Sequence, residues 1–174
     1  MEIRLGPLRP RDRARVAELL VSTGVFSDEE VGVALQLFDV SVDERAARRP
    51  DAPEPDYEYT GAFEGKRLLG YACAGPTPAT DGTFDLYWLA VDPAAQGQGV
   101  GRSIVRDVER QLRERGARML LVETSSRPDY SKTRAFYARC GYTEAARIRD
   151  FYAPADDRIM LTTRLTTERG AATR

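Results

Sequence analysis

The stretch from Asp85 to Arg102 constrains this chain more than any other. It reads as an apolar β-strand ending in Leu89, Ala90 and Val91, then a turn in which Gly97, Gly99 and Gly101 fall within Gln96–Gly101, then the opening of a helix. Glycine removes the Cβ and permits positive φ, so successive backbone N–H groups can converge, and the following helix adds its unpaired N-terminal donors and positive dipole end. No acidic residue stands between Asp92 and Asp107 to repel an anion. The segment is therefore predicted to cradle a phosphate. It lacks the Gly-Lys-Ser/Thr ending of a P-loop. Its Gly97-x-Gly99-x-Gly101 spacing also misses the dinucleotide fingerprint, and no acidic residue follows a second parallel strand as that fingerprint requires.

The rest of the chain supplies elements in a mixed α/β order. With 174 residues, 42% of them hydrophobic, the expectation is one domain over residues 1–166 and a flexible tail over 167–174. A first strand is predicted over Ile3–Leu8 and a helix after Pro10 with Val16, Leu19 and Leu20 on one face. Ser27-Asp-Glu-Glu30 is a capping box for a second helix, which frays toward Arg45–Arg49 before a loop at Pro50–Asp56. Tyr57–Phe63 and Arg67–Ala74 form a predicted hairpin of roughly alternating pattern, and Thr83–Val91 is the strand that delivers the glycine turn. The helix after Gly101 carries Ile104, Val105, Val108 and Leu112 on one side. A strand at Met119–Thr124, a helix at Ser131–Arg139 closed by Gly141, and an antiparallel pair at Tyr142–Phe151 and Arg158–Leu165 complete the order.

Composition removes several chemistries. The chain has no histidine, which excludes Ser-His-Asp and Cys-His nucleophilic sites and histidine-ligated zinc. Cys73 and Cys140 are its two cysteines, too few for a zinc cluster and too far apart for a CxxC motif, so no metal is expected and both are read as buried small apolar residues. A formal charge of −1 gives no global field for nucleic acid, and the arginines at 102, 106, 110, 113, 115 and 118 read as a solvated helix face. No signal peptide or membrane-length apolar run is present, so the expected compartment is the cytoplasm and no membrane partner is expected.

Two strings carry a family resemblance. Gln96-x-x-Gly99-x-Gly101 after Leu89-Ala-Val91, and Thr133-Arg-Ala-Phe-Tyr-Ala-Arg-Cys-Gly-Tyr142 about 40 residues later, resemble the acyl-CoA loop and the characteristic helix of the GNAT superfamily of N-acetyltransferases. The resemblance implies an α/β fold with a mixed, mostly antiparallel central sheet flanked by helices, whose splayed central strands hold acyl-CoA. It implies acetyl-CoA as acyl donor, no metal, and direct attack by a primary amine, either a small molecule or a protein N-terminus, in a monomer or homodimer. The alternative is a CoA-binding sensor or partner module without turnover. On the same resemblance, Leu89, Ala90 and Val91 run beside the pantetheine arm, with the Val91 main chain bonding it like an added strand. Gln96, Gly97, Gln98, Gly99, Val100, Gly101 and Arg102 surround the pyrophosphate, with Thr133 and Phe136 as further cofactor contacts.

Tyr137 takes the family's position for a phenol near the thioester sulfur. A phenol of pKa about 10 is protonated at neutral pH and can donate to the departing thiolate. Its alternative is a core aromatic beside Phe136. Glu123 stands in a Val-Glu-Thr context similar to that of the base in the ribosomal-protein N-terminal acetyltransferase branch, and Arg147–Tyr152 with Asp156-Asp157 resemble that branch's last hairpin. Glu123 alternatively forms a structural ion pair with an arginine. Asp85 and Tyr87 share one face of their strand and are candidates for the acceptor pocket. Tyr130 and Thr133 replace the family's usual asparagine and alanine, and the loop Ser125–Asp129 is longer than its common form.

Overall fold

The computed structural model describes residues 2–47 and 56–165. The loop expected at Pro50–Asp56, apart from Asp56, and the tail expected after residue 166 lie outside them. Seven strands, β1 (Arg4–Pro7), β2 (Glu58–Glu64), β3 (Arg67–Pro76), β4 (Thr83–Val91), β5 (Met119–Ser125), β6 (Thr143–Ala153) and β7 (Asp156–Arg164), form one sheet in the order β1-β2-β3-β4-β5-β7-β6. The helices are α1 (Arg13–Thr23), α2 (Asp28–Ala47), α3 (Val100–Glu114) and α4 (Ser131–Cys140). Pairing is antiparallel at β1–β2, β2–β3, β5–β7 and β6–β7, and parallel between β4 and β5. This is the mixed, mostly antiparallel architecture expected from the sequence. Contacts group the chain into two compact units, and strand β4 and helix α3 contribute residues to each.

The first unit holds the chain up to Gly75 together with Trp88–Val108. Its core joins Val16, Leu19 and Leu20 of α1 and Ala34 and Phe38 of α2 to Tyr59, Phe63, Leu68, Tyr71, Cys73 and Ala90 of the strands. Phe38 meets Tyr59 edge-on at 5.3 Å, and Tyr59 stacks on Tyr71 at 6.2 Å. The predicted capping box forms: the Glu30 amide donates to Ser27 Oγ at 3.2 Å and the Ser27 amide to Glu30 Oε2 at 2.8 Å. Strand β3 departs from the alternation expected of it, because Leu68–Gly75 is buried at every position. Its unbroken small and apolar run suits a strand covered on both faces rather than one facing water. Gly70 shows how closely β4 approaches, since a Cβ there would lie 2.8 Å from the Ala90 carbonyl oxygen.

The second unit holds Pro76–Tyr87 and the described residues from Glu109 onward. The parallel ladder pairs Thr83, Phe84 and Asp85 with Met119, Leu120 and Leu121 and goes no further, although β4 runs on to Val91 and β5 to Ser125. Strand β7 pairs with β5 along the whole length of β5, from Met119 opposite Arg164 to Ser125 opposite Arg158. Outer strand β6 is exposed at every residue. Helix α4 ends at Gly141, whose φ of 96° only glycine adopts cheaply, and the Tyr142 amide returns to the Tyr137 carbonyl at 3.0 Å. Tyr142 then donates its hydroxyl to Glu109 at 3.1 Å, and Arg113 holds the other oxygen of that carboxylate at 3.1 Å. Burial together with that nearby carboxylate raises the Tyr142 phenol well above its ordinary pKa.

Candidate active site

In the first unit the site is made of backbone. Strand β4 ends at Val91, and Asp92 turns the chain: its Oδ1 accepts from the Ala94 amide at 2.9 Å, capping the short 3-10 turn Pro93–Ala95. Its Oδ2 accepts from Arg67 at 2.8 Å and from Arg15. The Asp92 amide donates to the Leu69 carbonyl at 2.8 Å, so the strand end is tied on three sides. The Ala94 amide and, after it, the two guanidinium groups hold the Asp92 carboxyl below its usual range against the opposing effect of burial.

Gln96 then folds back to donate to the Val91 carbonyl at 3.2 Å, and Gln98 donates to the Ala94 carbonyl at 2.9 Å. Gly97 and Gly99 take φ of 75° and 85°, and an added Cβ at either would touch no neighbouring atom. Glycine is demanded there by backbone conformation, at about 1–2 kcal/mol for an L-residue, and not by crowding within the chain. Gly101 is different. The Ser103 amide donates to the Gly99 carbonyl at 2.9 Å, so the helix starts at Val100 rather than after Gly101, and Gly101 sits in its first turn. Val100 is buried as the first core contact of α3, whereas Gln96–Gly99 and Arg102 are exposed. Leu89 and Val91 are half-buried, and Ala90 is buried.

The second unit supplies side chains. Tyr137 is buried, with its ring edge-on to Phe136 at 5.0 Å and to Tyr142 at 5.4 Å. Burial raises its phenol above the ordinary pKa, so it is protonated throughout the physiological range. Among the described residues its hydroxyl has no hydrogen-bond partner. Thr133 and Phe136 lie half-buried on the same helix. Glu123 carries the ion pair weighed as its alternative role: it binds Arg158 and accepts from the Tyr152 hydroxyl. The Arg158 guanidinium also lies over the Phe151 ring at 4.9 Å. Asp85 accepts from Thr77 Oγ1 at 2.6 Å, and Tyr87 is exposed.

The sequence reading missed the anchors Asp92, Arg15 and Arg67 and the partners of Glu123, Tyr152 and Arg158. Asp92-Pro93 at a strand end is a capping signature that points to the first of these. The others are long-range and leave no local signal.

The model of the Acetyltransferase (GNAT) family matches residues 28–142, and the chain belongs to that family. It is 31% identical over 110 residues to the N-alpha-acetyltransferase RimI of Mycobacterium tuberculosis, a match covering 62% of this chain and 65% of that protein. A GNAT-family protein from Desulfovibrio desulfuricans superimposes with a TM-score of 0.86 at 37% identity, over 95% of this chain and 100% of the other. A Salmonella typhimurium protein solved with its cofactor acetyl-CoA shares the fold, with a TM-score of 0.72 at 16% identity over 100% of this chain and 99% of the other.

Proposed function

We propose that this chain is an N-acetyltransferase that moves acetyl from acetyl-CoA to a primary amine by direct attack of the neutral amine on the thioester. The observation that carries the reading is Tyr137: the residue is buried and its phenol protonated, and its hydroxyl has no intramolecular partner among the described residues. A group that must donate to a departing CoA thiolate has to keep its proton free. The glycine turn suits the donor's pyrophosphate, because its exposed positive-φ glycines lead straight into the N-terminus of α3 and no acidic residue lies between Asp92 and Asp107 in the sequence. The ending of the β4–β5 ladder at Asp85 supports an arrangement in which the Leu89–Val91 main chain receives the pantetheine amides. Proximity of the two substrates then supplies much of the rate.

The acceptor is an α-amine or another weakly basic amine. At pH 7.4 an amine of pKa about 10.4 gives up about 4 kcal/mol to become neutral, whereas an α-amine of pKa about 8 gives up about 1 kcal/mol. Only the first strongly demands a dedicated base. Glu123 is the proposed acceptor-side base, yet its oxygens already hold Arg158 and Tyr152, which favours an acceptor that needs little help. The RimI relative, named as an N-alpha-acetyltransferase, agrees with this choice. The test is release of free CoA thiol from acetyl-CoA against a panel of α-amines, lysine-type amines and small polyamines, with NADH binding as control. Turnover greatest on α-amines is expected. Saturable acetyl-CoA binding with no thiol release on any amine would replace the enzyme by a CoA-binding module.

A further inference from the structure

Away from the glycine turn, the first unit has a concave cleft of about 560 Å³ lined by Arg4, Arg9, Arg11, Arg15, Lys66 and Arg67. Among the described residues, Asp12 is the one carboxylate on its wall, and its Oδ2 already accepts from the Arg9 amide at 2.8 Å. Arg15 is paired with Glu18 at 2.8 Å and shares Asp92 with Arg67, so these two are largely neutralised. Arg9, Arg11 and Lys66 are paired with no carboxylate among the described residues. No residue of Gln96–Arg102 lines the cleft. Six cations thus converge on one concavity of a chain whose formal charge is −1. Mutual repulsion among them is relieved only by counter-charge, and a concave low-dielectric wall concentrates their field on whatever enters.

We infer that this cleft binds a compact anion carrying several phosphate groups. Its volume lies within the range of small-ligand sites, and guanidinium forks match phosphate oxygens two at a time. A nucleic acid strand fits it less well. Phe63 is the aromatic residue on the wall, its ring is almost fully buried and roofed by the Arg4 guanidinium at 4.8 Å, and so it offers no face for a base to stack on. Its lining is distinct from the glycine turn, and Arg9, Arg11 and Lys66 touch none of the residues assigned to donor or catalysis, while Arg15 and Arg67 also brace Asp92.

The test titrates the whole protein with inorganic tripolyphosphate by calorimetry, then repeats it with the variant carrying Arg11→Glu and Lys66→Glu, both exposed positions where folding should be untouched. Saturable binding that weakens at least tenfold in the variant, and that falls as salt rises, is expected, with the thermal shift on acetyl-CoA retained. Failure of tripolyphosphate to saturate, or equal affinity in the variant, overturns the inference. Displacement of tripolyphosphate by acetyl-CoA would make the cleft part of the donor site and overturn it as a separate one. Tighter binding of a single-stranded oligonucleotide through the same two residues would overturn the compact-anion assignment.

Discussion

The glycine turn and the Tyr137–Glu123 side chains solve different problems by different means. In the first unit, function is assigned to backbone amides, and side chains serve as struts: Asp92 holds the strand end, Arg15 and Arg67 hold Asp92, and Gln96 and Gln98 close the turn on itself. In the second unit, function is assigned to side chains, and the backbone is a regular ladder and a helix. Backbone donors are insensitive to most substitutions but intolerant of wrong φ. Side-chain donors tolerate φ but depend on one atom. The two regions should therefore fail in different ways.

The largest effect expected is from Gly99→Glu together with Gly101→Glu. Placing carboxylates at the proposed phosphate site should abolish the acetyl-CoA thermal shift, which is about 2.7 kcal/mol at a hundredfold excess over Kd. A side chain at Gly99 meets open space but is strained by the φ of 85°, at about 1–2 kcal/mol, so the shift is compared only on a variant whose circular dichroism and apo melting transition show it folded. A folded double variant with an unchanged shift would remove the turn from the binding site. Next, Tyr137→Phe should lower kcat by about ten- to a thousandfold while leaving the melting temperature and acetyl-CoA affinity nearly unchanged. Full activity with a lowered melting point would make Tyr137 a core residue.

Asp92→Asn should cost about 2–3 kcal/mol of stability, as expected for losing charge-assisted hydrogen bonds at a buried carboxylate. The folded pKa of Asp92 lies below its ordinary 3.8, so its contribution is complete above that value and is lost as pH falls through the lowered folded pKa. The wild type should therefore lose its advantage over the variant in melting scans below about pH 4. A constant gap down to acid pH would mean the carboxylate's charge is irrelevant. The smallest effect expected is from Glu123→Gln: a loss of turnover of up to about tenfold at neutral pH, partly recovered as alkali makes more acceptor neutral, with stability changed by no more than about 1 kcal/mol because the pair with Arg158 is partly exposed. Reduced stability at unchanged specific activity would leave Glu123 as an ion-pair partner only.

The same contrast explains what the sequence disclosed. Element order, the capping box at Ser27 and the glycine cap at Gly141 are local, so their residues announce them. The glycine turn is legible for the same reason, down to the residues with positive φ, although Gly101 looked like a third turn residue and proved helical. The partners of Glu123 come from residues 29 and 35 positions later, set by the β5–β7 register and by β6, and no local pattern specifies them. Burial on both faces hid the character of β3 in the same way, since what covers a strand is not written in the strand.

Cys73 has a consequence at the bench. Its side chain is wholly enclosed in the first unit's core, and burial pushes the thiol up to about 12. At pH 8 about one such thiol in ten thousand is ionised, and thiol reagents react with the thiolate. A colorimetric reading of released CoA then carries a background from Cys140 alone, which is partly exposed at the end of α4. Cys140→Ser should render the protein optically silent in that measurement, and a maleimide dye on Cys140 should yield a singly labelled reporter one residue before the helix's glycine cap.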